Sequence, residues 1–192
     1  AIPSTDNPLT WGQGNRWHLY WKMTYDGEPG VKRSTLYGRP FRRMRPSAYM
    51  LDSMFNRAAD DRWDSMFQRV WYATNTAPGL AIGDTAIFEP WVKTKDLDKA
   101  KYCNKKYTVL TEPNDFDHPK VGPVPGCPNI KSEYTTSYFP ALFKWDEPDR
   151  ASTNQEQGKR DFCVYRFSDT YLMLAESLIR QGKTSEAEVA LS

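Results

Sequence analysis

The chain lacks long apolar runs: across its 192 residues none exceeds about five, far below the ~20 that a membrane-spanning helix needs. It also lacks a charged start leading into an apolar core, the mark of an export signal. Because it opens on Ala1 and not on Met, we read it as a segment of a longer protein whose address lies elsewhere. Cysteine is sparse. Cys103, Cys127 and Cys163 are separated by 24 and 36 residues with no Cys-x-x-Cys pair, which argues against a zinc site. An odd number argues against a complete disulfide framework, and Cys103 and Cys127 either close one loop or remain thiols. Charge of one sign is absent too. With 26 Lys and Arg against 24 Asp and Glu, no global field draws in nucleic acid or anionic lipid, so electrostatic recognition must be local.

The signatures of an enzyme are missing. His18 and His118 are the two histidines, 100 residues apart. Gly12, Gln13 and Gly14 begin like a dinucleotide fingerprint but lack the third glycine and a preceding strand, and no Gly-x-Ser-x-Gly elbow or phosphate loop occurs. Asp115 and Asp117 suggest calcium, yet the turn glycine and closing glutamate of an EF-hand loop are absent. We therefore expect no cofactor, no metal and no catalytic residue. A glycoside hydrolase remains an alternative, because the separation of two carboxylates is a spatial fact that spacing does not give.

What the chain does have is aromatic rings, 27 of them, which disordered chains do not carry. Rings with a polar edge suit a loop-rich fold with planar binding surfaces. Residues 1–46 read as an aromatic, turn-rich segment punctuated by Pro3, Pro8, Pro29, Pro40 and Pro46. Residues 47–74 read as helices: Ser47 can cap a stripe of Met50, Leu51, Met54, Phe55 and Ala58, and Trp63, Met66, Phe67, Val70 and Trp71 repeat the spacing. The Trp and Val content leaves a strand open for the second stretch. Residues 75–160 show no sustained period and carry five prolines between Pro113 and Pro128, so we expect an irregular insertion with short strands, one near Lys105 to Leu110.

Order returns over residues 161–192. Ser168 can cap a helix with Tyr171, Leu172, Ala175, Leu178 and Ile179 on one face, and Gly182 stops it. Ser185 and Glu188 then make a capping box for a second helix. Ala175, Leu178, Gly182 and Ala187 resemble the helix-turn-helix of a tetratricopeptide repeat, in which small residues allow close helix approach.

Two blocks carry a more specific resemblance. Residues 38–52 read Gly-Arg-Pro-Phe-Arg-Arg-Met-Arg-Pro-Ser-Ala-Tyr-Met-Leu-Asp, followed by Asp61, Arg62, Trp63, Val70, Trp71 and Tyr72. Residues 160–182 read Arg-Asp-Phe-Cys-Val-Tyr-Arg-Phe-Ser-Asp-Thr-Tyr-Leu-Met-Leu-Ala-Glu-Ser-Leu-Ile-Arg-Gln-Gly, with Phe139, Pro140, Lys144 and Trp145 between the blocks. Together they resemble the SusD/RagB family of outer-membrane nutrient-uptake lipoproteins. The resemblance implies one mainly α domain of tetratricopeptide-like helical hairpins with a large irregular lobe containing short strands. It implies a non-catalytic protein on the outer face of the outer membrane that binds oligosaccharide and caps a SusC-like TonB-dependent transporter. Membrane attachment would come only from a lipid anchor absent from this chain. A helical-repeat module that binds only protein is the alternative from another class.

The family's glycan contacts lie in variable loops, so ligand residues follow from physics alone. Sugars offer apolar C–H faces and hydroxyl edges, which suit aromatic planes flanked by polar groups. The densest set is Trp11, Asn15, Trp17, Tyr20, Trp21 and Tyr25, with Trp91 as a further ring. Positions 17, 20, 21 and 25 also fit the buried face of a helix, and that reading stands beside the first. Trp145, beside Asp146 and Glu147, is another exposed-ring candidate, but it falls within the family pattern and reads as a packing ring. The basic strip of Lys32, Arg33, Arg39, Arg42, Arg43 and Arg45 reads as structural pairing with acids such as Asp60, Asp61 and Asp64, not as a phosphate site.

Overall fold

The computed structural model describes residues 14–120, 122–132, 134–160 and 163–191. Its centre is a five-stranded mixed sheet of β1 (Val70–Tyr72), β2 (Thr85–Phe88), β3 (Thr108–Thr111), β4 (Gly122–Val124) and β5 (Cys127–Ser132), in the order β1-β2-β3-β5-β4. The outer pairs β1/β2 and β4/β5 are antiparallel, while β2, β3 and β5 run parallel. Parallel strands belong inside, and β3 is buried at all four positions. Neighbouring side chains on a strand point to opposite faces, so Leu110 joins the larger core with Trp71, Ile87 and Phe67, and Val109 joins a smaller one with Val124 and Ile130. Pro123, which has no N–H to give, is tolerated because β4 is an edge strand. Cys103 and Cys127 are bridged, which ties the chain after helix α3 (Lys99–Tyr102) to the start of β5; Cys163 is free and exposed.

This architecture corrects the expectation of a mainly α, tetratricopeptide-like domain. Residues 47–74 do not form the helices their spacing suggests. Ser47 Oγ does accept from the Met50 amide at 3.2 Å, but the chain then makes a single π-turn, Met50–Met54. Its extension fails because the Arg57 guanidinium donates to the Leu51 carbonyl, the acceptor that an α-helix would offer to Phe55 N–H. The second stretch is divided: helix α2 (Arg62–Met66) ends where Phe67 turns extended, and Val70 and Trp71 enter β1. Four of the five strands lie within residues 75–160.

Helices α4 (Phe167–Arg180) and α5 (Thr184–Leu191) form a hairpin. Asp169, not Ser168, closes the first turn of α4, its carboxylate accepting from Arg166 N at 2.9 Å. Gly182, at φ +75°, ends it, and Lys183 N donates back to Leu178 O at 2.9 Å. Ala175 and Ala187 are the buried residues of the two helices. Among the described residues no helix is long and apolar enough to cross a membrane.

Candidate functional site

Residues 15–22 build the site. Helix α1 (Trp17–Tyr20) is one turn long and ends because its carbonyls are taken by a second segment. Leu19 O accepts from Phe41 N at 3.1 Å, and Tyr20 O accepts from Arg43 N and Met44 N at 3.0 Å. The turn buries His18, Leu19 and Lys22 and leaves Trp17, Tyr20 and Trp21 half-buried at the surface. Trp17 stacks on Trp21 at 6.3 Å and 18° and meets Trp145 at 6.0 Å, while Tyr20 lies 6.4 Å from Phe41. These five half-buried rings form one contiguous aromatic face.

Its rim is charged. Glu156 pairs with Arg39 at 3.1 Å and with Arg16 at 3.4 Å. The Arg39 guanidinium also sits 5.3 Å from the Phe41 ring, and Lys144 Nζ lies 5.2 Å from Trp145. Asn15 closes one side, its Nδ2 donating to Arg160 O at 2.5 Å and its Oδ1 accepting from Trp17 N at 3.3 Å.

Beneath the rings lies a buried charge network that fixes Trp145 against α1. Lys22 pairs with Asp146. Burial pushes Lys22 down and draws Asp146 up to about 6, each shift opposed by the partner's charge. Glu147 accepts from Lys159 N at 2.5 Å and Arg160 N at 3.3 Å, and Arg150 donates to Glu147 O at 2.9 Å and Gln155 O at 3.0 Å. A Cβ on Gly158 would fall 2.2 Å from Glu147 Oε1, so the carboxylate can lie against the 158–160 backbone only because residue 158 has no side chain. His18 Nδ1 is 3.9 Å from Glu147, too far to bond, and neither ring nitrogen has a hydrogen-bond partner among the described residues. Burial, then the charges of Arg150 and Lys22, hold His18 down at about 3, so it is neutral.

Of the residues singled out in the sequence, Asn15, Trp17, Tyr20 and Trp21 are brought together at this face. Trp11 lies outside the described residues. Tyr25 is core: it is fully buried, its ring stacks on Trp71 at 4.8 Å, its hydroxyl donates to Gly38 O, and burial pushes the phenol up. Trp91 is half-buried in a different ring group, edge-on to Trp63 at 5.4 Å, with Nε1 donating to Asp64 at 3.2 Å. Of the other two rings of the face, Phe41 is not among the residues the sequence singles out for ligand contact, while Trp145 is an exposed-ring candidate that the sequence reading assigns to packing. The signal that could have found Phe41 is the charged residue beside it, Arg42.

Within the basic strip two residues pair with acids other than those expected, Arg33 with Asp26 at 2.7 Å and Arg39 with Glu156, while Arg45 stacks 4.3 Å from the Tyr134 ring and Arg42 donates to Ser137 Oγ at 3.1 Å. Glu89 and Glu112 are a buried pair of carboxylates that act on each other. Glu112 is held by Arg57 at 2.5 Å, and burial followed by the Glu112 charge raises Glu89 well above its ordinary value. The cavity beside them is about 20 Å³, room for a water but not for a sugar ring. Among the described residues no group of three or more His, Cys, Asp or Glu could hold a metal ion.

Residues 120–192 match the family model described as the SusD family. No curated protein and no solved structure matches the chain.

Proposed function

We propose that this chain, a member of the SusD family through residues 120–192, holds glycan on the aromatic face of Trp17, Tyr20, Trp21, Phe41 and Trp145 without altering it. The family's general role is glycan binding in nutrient uptake. The observation that carries the reading here is the half-buried face itself, rings at mutual distances of 6.0–6.4 Å with a guanidinium and carboxylate rim. Apolar C–H faces of a sugar lie against such planes, and the rim offers donors and acceptors to the hydroxyls. Each stacked ring contributes roughly 1 kcal/mol, so single-site affinity is weak and a chain of sugars gains by touching several rings.

The bound oligosaccharide is then delivered to a SusC-like TonB-dependent transporter at the outer-membrane surface, where a lipid anchor carried by the full-length protein holds it. The Cys103–Cys127 bridge supports an address outside the reducing cytoplasm. The test is a titration of the intact protein with neutral oligosaccharides, followed by tryptophan fluorescence, beside a variant carrying Trp17→Ala and Trp145→Ala. Quenching should saturate for at least one oligosaccharide, and the variant should bind it roughly tenfold to a hundredfold more weakly. No response from any oligosaccharide, or identical titration of both proteins, overturns the reading; release of reducing sugar would replace it with hydrolysis.

A further inference from the structure

Away from the aromatic face, a cleft of about 560 Å³ opens between β4, the 3-10 turn Thr94–Asp96 and the loop around residue 115. Its volume is that of a small-molecule site. Lys95, Lys99 and Lys120 line it together with His118, and Asp115 is its one acid among the described residues. None of the three lysines has an ion-pair partner among those residues, in contrast to Arg33, Arg39 and Arg57, each of which meets a carboxylate at 3.1 Å or less. The charge of Asp115 is turned onto its own loop. It accepts from Asp117 N at 2.9 Å and His118 N at 3.3 Å and sits 3.2 Å from the His118 ring. The cleft therefore presents three unneutralised ammonium groups in a chain whose net charge is only +2.

The walls are held in place. Asn114 Oδ1 accepts from Lys95 N at 2.8 Å, and Thr94 N donates to Glu112 O at 2.9 Å, which fastens the turn to the strand beside it. Lys99 opens α3, whose far end is joined to β5 by the Cys103–Cys127 bridge. Pro123, Val124 and Pro125 add apolar lining to the same cleft. Apolar lining together with three cations selects a ligand that carries both a C–H surface and an anionic group.

We infer that this cleft binds the acid group of an anionic glycan, the carboxylate of a uronic acid or the sulfate of a sulfated sugar, as a second site distinct from the aromatic face. The sugar half of the inference rests on the glycan reading above, and the acid half rests on the cleft alone. Lysine ammoniums are hydrated point charges without a fixed fork, so the site takes either acid, with an affinity that falls as salt is raised.

The experiment is calorimetric titration of the intact protein at low and raised salt with four probes: oligogalacturonate, a sulfated galactan oligosaccharide, neutral maltoheptaose and inorganic sulfate. The same set is run on the variant Lys95→Gln, Lys99→Gln, Lys120→Gln, with circular dichroism confirming the fold. Acidic oligosaccharides should bind more tightly than the neutral one and weaken roughly tenfold to a hundredfold in the variant, while any neutral binding is unchanged. Response to only one acidic probe assigns the acid as carboxylate or sulfate. If acidic and neutral oligosaccharides bind alike, or the variant holds the acidic ones as the parent does, the cleft assignment fails and the aromatic-face reading stands. Lysine-dependent binding of the acidic oligosaccharides keeps the cleft whether or not maltoheptaose binds, whereas binding of inorganic sulfate with no acidic oligosaccharide held overturns it.

Discussion

In the part of the molecule that carries the sheet, Trp71, Tyr25 and Phe67 are enclosed to within 1% of their surface, whereas in the hairpin Tyr171, Leu172, Met173 and Leu174 stand 43–57% open. The residue types do not differ enough to explain this. What differs is the distance along the chain at which each finds a partner. Tyr25 reaches Gly38 O and the Trp71 ring, and Glu28 gathers Thr108 at 2.7 Å, Lys131 at 2.6 Å and Tyr138 at 2.9 Å. The hairpin is set by contacts within a few residues, the Asp169 cap and the Gly182 stop, and encloses one alanine per helix. One region is held by long-range burial, the other is shaped by local chemistry.

The largest expected effect that can break this comparison comes from emptying the core. Trp71→Ala should cost about 3–5 kcal/mol in urea unfolding and abolish the near-ultraviolet circular dichroism, whereas Leu172→Ala, at a site 57% exposed, should stay within about 0.5 kcal/mol. Equal losses would mean that the two regions share one core. Next in size is the bridge that closes the smaller core. Cys103→Ser should lower stability by about 3.5 kcal/mol, the chain-entropy value for a loop of this length, while the helical far-ultraviolet signal of α4 and α5 persists. Loss of that signal would show the hairpin depends on the sheet.

The smallest effect sharpens the comparison, because the described residues of the hairpin bury no titratable group and the network under the rings does. His18 has a folded pKa of about 3 against 6.5 when free, so the stability it carries is whole above pH 6.5 and is lost as pH falls toward 3. At about pH 5.5 this amounts to about 1 kcal/mol relative to neutral pH. His18→Leu should remove that loss. Asp146, drawn up to about 6, acts in the opposite direction and does so in both proteins, so it largely drops out of the difference. Parallel acid loss in parent and variant, by urea unfolding at the two pH values, would show that His18 is not held neutral.

The same contrast explains what the sequence revealed. The hairpin was legible because a cap, an alanine pair and a turn glycine lie within one short stretch. Of the sheet only the short strand near Lys105 to Leu110 was legible, and its pairing was not, since β3 acquires neighbours from residues 85–88 and 127–132 and no local period records such pairing. The stripe from Met50 to Ala58 looked helical, and only Arg57 reaching back to the Leu51 carbonyl shows why it stops. At the candidate site, Trp17, Tyr20, Trp21 and Tyr25 carry one aromatic signal, yet Tyr25 is sealed by residues 13 to 46 positions away while the other three remain at the surface. The lysine cleft was invisible for a related reason: Lys95, Lys99 and Lys120 become a cluster only when β4 and the 3-10 turn face each other.

Pro123 has one more consequence. An outermost ribbon offers its spare amides and carbonyls to any extended peptide that drifts past, which is how neighbouring molecules zip into fibrils. Here that ribbon is three residues long and has a tertiary amide at its middle position, so an approaching copy finds too few donors in register to continue the ladder. That blunt margin keeps copies of the chain apart while leaving the adjoining cleft open.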